Sequence, residues 1–595
     1  MAAHAASTSF ADFGRNFLDP ATPLLRIGRG ELGGKAGGLA TIRSDVARRL
    51  GSTPTEISVD IPSLVVLGTE VFEAFLEDNR LLSIATSDEP DERITAAFLR
   101  ADLPFDVVGD LRALVQQVDT PLAVRSSSLL EDALGAPFAG VYATKMIPND
   151  PADVDRRFQQ VAEAVKFVYA STFSRNAKDY RAAVGRGDGD EKMAVILQEL
   201  VGRRHHLRFY PEISGVARTF NYYPMEPARP EDGVVNLALG LGKTIVDGEP
   251  CWGYSPAYPK VEPPFGSVEQ LLKGTQTRFW AVSLGDPPQH APGLETEYLA
   301  REDLRSAERD GTLRYLASTY SPLSGRLSAG VGFEGPRALT FAPLLVLDEI
   351  PFNETLRRLM QACQESLASP VEIEFAMTLD SASHTSPGAV RDPGGEPARL
   401  RLLQVRAMEG PQAETPIAAA DLLGERILVA SETTLGNGRL DTLCDIVYTR
   451  PEAFALTHTQ QIVPELEDFN RRLLQEKRPY LLIVHGRLGT TDPWLGIPAP
   501  WGKISGARAV VETTEANVRV ELSQGSHFFH NIVNLGVKYF NLPITSRFRV
   551  DWDWLARQPA ERETRFLRHV RLARPLTVRV DGRHSRGLIR RPAEA

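Results

Sequence analysis

Gly33-Gly-Lys35-Ala-Gly-Gly-Leu39 is the stretch from which the fold reads outward. Glycines let backbone N–H groups approach a polyphosphate, a following helix offers the positive end of its dipole, and a lysine supplies a point charge. Residues 40–50 carry helical apolar spacing, so the glycines are expected immediately before a helix N-terminus. Ala36 follows the lysine where a Walker A motif has Ser or Thr, so this is not a P-loop of that type. Taken alone, the segment serves equally well as an ordinary Gly-Lys turn.

Residues 1–25 are small, polar and aperiodic, and read as an extended lead-in. Beyond residue 50, strand and helix signals alternate: strands at 63–67 and 121–125, helices at 70–77 and 153–169, and buried strands at 193–201 and 234–239. A helix over 353–368 precedes strands at 371–377 and 399–406, joined by a Ser/Pro/Gly-rich hairpin loop at 381–397. Residues 408–420 interrupt the pattern before a new apolar strand at 426–430, which suggests a separate final domain of ordinary size.

Two further clusters carry chemistry. Val124-Arg125-Ser126-Ser127-Ser128, followed by Glu131-Asp132 and Phe138-Ala-Gly140-Val-Tyr-Ala-Thr144, places an arginine at a strand end beside hydroxyls and a glycine loop. That suits bidentate recognition of phosphate oxygens, and a surface turn with a structural arginine is the competing reading. In Glu372-Ile-Glu374 alternate positions put both carboxylates on one face of a strand, where they can converge on a hard cation. Gln404-Val-Arg406 repeats that spacing with an amide and a guanidinium. A solvated sheet face is the alternative.

The ordered series G-G-K-A, V-R-S-S, E-D, F-A-G-x-x-x-T, S-G-V-A, G-L-G, E-I-E and L-Q-x-R, between Gly33 and Arg406, resembles the nucleotide-binding domain of phosphoenolpyruvate synthase and pyruvate phosphate dikinase. The resemblance implies an α+β / α/β multidomain chain: an ATP-grasp-like two-subdomain nucleotide-binding module followed by a smaller α/β C-terminal domain. The expected divisions are a lead-in at 1–25, subdomains at 26–205 and 206–410, a linker at 411–424, and a C-terminal domain at 425–595. By the same resemblance, Lys35, Arg125 and Arg406 bind ATP phosphates, and Glu372, Glu374 and Gln404 hold or orient Mg2+. Gly140 and Thr144 belong to a loop over the phosphates, Gln198 lies along the adenine pocket, and Ser214, Gly240 and Gly242 line the cleft. These enzymes often have glutamate after Gly-Leu-Gly, where this chain has Lys243, which adds a phosphate contact or alters the metal geometry.

In the dikinases the phosphoryl acceptor is a histidine opening a helix in a Gly-Gly-x-Thr-Ser-His motif on a swivelling domain. Gly525-Ser526-His527-Phe-Phe-His530, followed by Leu535-Gly536, is similar to it and makes His527 the candidate acceptor. A neutral imidazole is a competent nucleophile toward phosphorus. The flanking phenylalanines are bulkier than the family's small residues and equally suit a packed core histidine. His527 and His530 lie one helical turn apart but lack a third metal ligand. A second C-terminal concentration runs from Val484-His485-Gly486-Arg487 through Asp492, Trp494 and Gly496 to Trp501-Gly-Lys503. It resembles the C-terminal region of uncharacterised bacterial proteins described as phosphoenolpyruvate/pyruvate-binding-domain proteins. It reads either as a ligand loop or as a Trp-anchored structural turn.

The remaining properties set limits. A chain of 595 residues implies several domains. A formal charge of −9 gives no general attraction to nucleic acid or an anionic membrane, and the arginine-rich 583–591 reads as a solvated tail. Three scattered cysteines carry neither a disulfide framework nor a structural zinc site. No apolar run spans a bilayer and no signal segment opens the chain, so a cytoplasmic location is expected. After Arg406 there is no room for both a carrier domain and a barrel of about 250 residues, so a complete phosphoenolpyruvate synthase is not expected. The function expected is therefore an ATP- and Mg-dependent phosphotransferase, with an unidentified small-molecule or protein acceptor and His527 as possible relay. A nucleotide-binding regulatory or scaffold protein is the alternative, and ligation through an acyl phosphate a third.

Overall fold

The computed structural model describes residues 10–15, 24–50, 57–129, 131, 140–183, 186–187, 191–221, 224, 226–263, 265, 267–285, 287, 290–379, 398–408, 416–490, 494, 496–514 and 536–592. Two six-stranded sheets organise the first two-thirds. The first runs in the order Ala11–Asp12, Leu24–Ile27, Leu64–Leu67, Met193–Glu199, Leu122–Ser128, Thr144–Ile147. The second runs Trp252–Tyr254, Val234–Ala238, Ile213–Arg218, Val371–Thr378, Ala398–Ala407, Ile57–Asp60.

Period-two alternation divides the first sheet between two cores. Leu25, Ile27, Val65, Leu67, Val195 and Leu197 face one way, into the helices Thr69–Asp78, Asp91–Arg100, Phe105–Gln117 and Val154–Ser171. Leu24, Leu64, Val66, Ala194 and Ile196 face the other way, into a core shared with the Gly33–Leu50 helix and the second sheet.

Several sequence expectations change in detail. The helix begins at Gly33 and takes in the whole glycine-rich motif, so those glycines do not precede it. Their reason is close packing. A Cβ on Gly33, whose φ is +77°, would fall 1.7 Å from Ser127 O, and one on Gly38 would fall 2.9 Å from Val405 O. The helix thereby wedges between strands of both sheets. Part of the lead-in is seated as an edge strand, Ala11 beside Leu25. The strand Ile57–Asp60 crosses over to pair in parallel with Ala398–Ala407, so the packing does not follow a linear division at residue 205. The hairpin loop expected at 381–397 lies outside the described residues, as does most of the 408–420 boundary.

After residue 420 a seven-stranded sheet has four parallel neighbours at its centre, Lys538–Leu542, Ala507–Thr513, Tyr480–His485 and Asp445–Thr449. A four-stranded antiparallel sheet lies beside it. The arginine-rich 583–591 is not a solvated tail: Arg586–Arg590 is an inner strand of that smaller sheet, between Ile427–Ser431 and Thr577–Asp581, with Gly587, Leu588 and Ile589 all buried. The other face of the large sheet packs into the same core as the helices of the first unit, and Gly502 N donates to Asn176 Oδ1 at 3.1 Å. Among the described residues no helix is long and apolar enough to cross a membrane.

Candidate functional site

The two six-stranded sheets meet around a cavity of about 300 Å³, within the usual size range of small-molecule sites. Its wall is mixed in character. Met146, Leu200, Val201, Leu241, Val246 and Leu299 are apolar, while Lys35, Arg125, Lys243, Glu374, Asp247 and Glu295 bring charge. Of the residues expected from sequence, Lys35, Arg125, Gly140, Thr144, Gln198, Ser214, Gly242, Lys243, Glu374 and Gln404 line it together.

Arg125 is the link between the sheets. Its Nη1 donates to Gln198 Oε1 (3.2 Å) on its own sheet and to Leu403 O (3.1 Å) on the other. Its Nη2 donates to Glu374 Oε2 (3.0 Å) and Gln404 Oε1 (2.7 Å). A β-bulge explains why Leu403 O can accept: Glu374 pairs with Gln404 and Phe375 with Leu402, which leaves Leu403 outside the ladder.

Lys35, in the first turn of its helix, donates to Ser126 O (3.2 Å) and Ser126 Oγ (3.1 Å) and forms a short ion pair with Glu131. Glu131 also accepts from Ser128 N (2.9 Å). Ser126 and Ser128 therefore build this buried lysine–glutamate seat, while Ser127 Oγ donates to Leu32 O (2.8 Å) and accepts from Ala36 N (3.2 Å) at the start of the helix. Thr144 faces the cavity opposite Arg125 in the ladder. On the reverse face Lys145 is buried against Glu297 at 2.7 Å.

Glu372 departs from expectation. It is almost fully buried, with one oxygen on Arg218 Nε (2.5 Å) and the other in a short contact with Arg406. Glu372 and Arg406 thus form an Arg–Glu–Arg group within the second sheet, off the cavity wall. Gly240 is also set back from the wall. Its φ is +80°, a Cβ there would lie 2.6 Å from Trp280 O, and its carbonyl accepts from Ser214 Oγ at 2.6 Å. His527 and His530 lie outside the described residues, as do Asp132, Phe138 and Asp492.

Sequence reading missed the acids at the Lys243 end. Lys243 Nζ lies 3.2 Å from Asp247 and 3.7 Å from Glu295. Burial alone would lower the ammonium pKa, but the two carboxylates outweigh it and hold it above the ordinary lysine value. Burial raises both acids. The i,i+4 spacing of Lys243 and Asp247 on one short helix was a usable signal. Glu295 arrives from a distant segment that no pattern announces.

Glu191 stands behind the cavity wall, accepting from Tyr142 OH at 2.8 Å, and burial pushes its pKa up to about 7. The folded protein therefore holds a proton there that the unfolded chain releases above its ordinary carboxylate pKa. This group's contribution to stability is full below pH 4.5 and is lost as pH rises through about 7. Urea unfolding at pH 5 and pH 8 is expected to show a smaller loss of stability with rising pH in Glu191→Gln than in the wild type.

For a divalent cation, the oxygens of Glu374 and Gln404 already converge on one cationic nitrogen, Arg125 Nη2. An oxygen-only pair of this kind fits Mg2+, which commonly takes one or two protein ligands and completes its shell with water and phosphate. Among the described residues no group of three His, Cys, Asp or Glu side chains forms a metal site by itself.

The cavity between the two sheets combines an apolar end, three basic side chains and an acid–amide pair, a set chemically suited to a phosphate-bearing ligand. The model of the family described as pyruvate phosphate dikinase, AMP/ATP-binding domain, matches residues 29–420, and the chain belongs to that family. Shorter stretches resemble curated proteins. Rifampicin phosphotransferase of Streptomyces sviceus is 29% identical over 199 residues, 32% of this chain and 21% of that protein. Phosphoenolpyruvate synthase of Aeropyrum pernix is 30% identical over 170 residues, 27% of this chain and 18% of that protein. An uncharacterised phosphotransferase, YvkC of Bacillus subtilis, is 26% identical over 196 residues, 33% of this chain and 21% of that protein. The chain thus spans about a fifth of the length of these relatives.

Proposed function

We propose that the protein is an ATP- and Mg-dependent phosphotransferase whose nucleotide binds in the cavity between the two sheets. The observation that carries this reading is the position of Arg125 between Gln198, Leu403 O, Glu374 and Gln404, within a family of AMP/ATP-binding domains. The apolar residues Met146, Leu200, Val201 and Leu299 would take the purine, in the manner of an ATP-grasp hinge. Gln198 Nε2, buried and without a hydrogen-bond partner among the described residues, is available to an acceptor on the ligand. Lys35 and Arg125 would meet the phosphates, and Glu374 and Gln404 would hold Mg2+ once the phosphates draw the guanidinium away. A bound Mg2+ would neutralise charge on the transferring phosphoryl group. The chain's own contribution is to position the phosphates with fixed cations in a site of low water content, where such contacts act most strongly.

The acceptor is either His527, acting as a relay, or a second substrate. Incubation with β- and γ-labelled ATP and Mg2+, followed by acid and base treatment, separates these. A relay requires acid-labile, base-stable label on the chain that disappears in His527→Ala. Unlabelled wild type, or undiminished label in the variant, removes the relay. Binding of ATP without turnover across candidate acceptors would instead indicate a regulatory role.

A further inference from the structure

The C-terminal unit holds a charged group that the nucleotide cleft does not use. Arg487 is only 7% exposed. Among the described residues its guanidinium makes no hydrogen bond and no ion pair, and its Nε is sealed from solvent without a partner. The other buried arginines have partners: Arg218 and Arg406 share Glu372, and Arg181 donates to Thr172 O at 2.7 Å. A guanidinium this nearly buried, with no counter-charge among the described residues, is unfavourable, which points to an anion supplied from elsewhere.

Its surroundings suit that role. Arg487 follows directly on the carboxyl end of the strand Tyr480–His485, one of four adjacent parallel strands. In open α/β sheets the carboxyl ends of parallel strands are where ligands collect. Thr449 and Thr513 end the two flanking strands there, each largely buried. The chain turns sharply between His485 and Arg487 at Gly486, φ +80°, whose N–H is bound to Thr513 O at 2.9 Å. Gly496 is pressed against the Arg487 backbone, where a Cβ would lie 2.0 Å from Arg487 O. The backbone beneath the guanidinium is therefore fixed from both sides. Glu512, the buried acid on the neighbouring strand, is engaged elsewhere: it accepts from Leu488 N at 2.8 Å and from Tyr539 OH at 2.5 Å.

We infer that Arg487 is the receptor of a second anion site, for a small oxyanion such as a phosphate or carboxylate group, at the carboxyl end of the C-terminal parallel sheet. A planar guanidinium held on a rigid turn matches both groups through paired N–H donors. The site is independent of the nucleotide cleft and does not rest on the proposed transferase activity.

Thermal unfolding of the full chain with increasing inorganic phosphate or acetate, against chloride at equal ionic strength, tests this. In the wild type at least one oxyanion is expected to raise the midpoint saturably, and the more effective of the two identifies the ligand class. The shift should persist in Lys35→Met, which alters the nucleotide cleft, and vanish in Arg487→Leu. Without anion, Arg487→Leu should unfold no earlier than the wild type, since it removes an unpaired buried charge. Arg487→Lys, which keeps the charge and loses the fork, should bind at least about tenfold more weakly. No oxyanion response in the wild type overturns the proposal, as does a response that survives in Arg487→Leu. If Arg487→Leu does not fold, wild-type affinity in Arg487→Lys overturns it.

Discussion

Replacing Arg125 by methionine is expected to weaken ATP binding about a hundredfold, the loss of one charge-assisted phosphate contact worth about 1.5–3 kcal/mol. The effect should exceed that of other single changes in the cavity because this side chain touches both sheets. It bonds Gln198 on its own sheet and Leu403 O, Glu374 and Gln404 on the other. Its removal takes away a phosphate ligand, lets the two walls separate, and leaves Glu374 without its cation. Arg125→Lys should recover only part of the affinity, since one ammonium cannot serve four acceptors spread over a planar fork. Calorimetric titration of ATP into the three proteins checks both statements. Equal affinities would mean that Arg125 is structural only.

The second large effect concerns stability. Glu372→Ala is expected to destabilise the second sheet by about 3–5 kcal/mol, the usual consequence of removing one member of a buried charge group. Glu372 contacts Arg218 and Arg406 from positions almost inaccessible to solvent. Removing it leaves two guanidinium groups in low dielectric without the carboxylate between them. Replacing all three together by apolar residues, as Arg218→Met, Glu372→Leu and Arg406→Met, should restore much of the loss, because the charges and their desolvation penalty go together. Urea midpoints of the single and triple variants measure this. A single variant as stable as the wild type would show that the group is solvated, contrary to its burial.

The contrast between Glu372 and Glu374 shows what the sequence could reveal. The alternation of Glu372-Ile-Glu374 against Gln404-Val-Arg406 does place these side chains on paired positions of neighbouring strands. Period two is a local property and could be read directly. Which of the two acids meets the cavity depends on Arg218, 154 positions away in the chain, and on the bulge at Leu403. Neither leaves a periodic trace. The glycines around Lys35 read as a phosphate-approach loop ahead of a helix, whereas they lie inside the helix and pack against strands. Their partners, Ser127 and Val405, are not legible in the sequence. The helix therefore takes in glycines that propensity alone would exclude from it, because tertiary packing requires their missing side chains. The same distinction explains 583–591: its arginines are conspicuous, while the short buried run Gly587-Leu588-Ile589 that seats it between two strands is not. Arg487 is visible among glycines and tryptophans, but that no described residue pairs with its guanidinium appears only once the chain is folded.

ATP binding in the cavity between the two sheets underlies every functional role proposed for its residues. Its most direct test is an equilibrium titration of ATP, with Mg2+ present, into the wild type, Lys35→Met and Arg125→Met. One saturable site per chain is expected in the wild type, weakened in both variants without loss of fold. No binding by a folded wild type, or the same affinity in all three proteins, would contradict it.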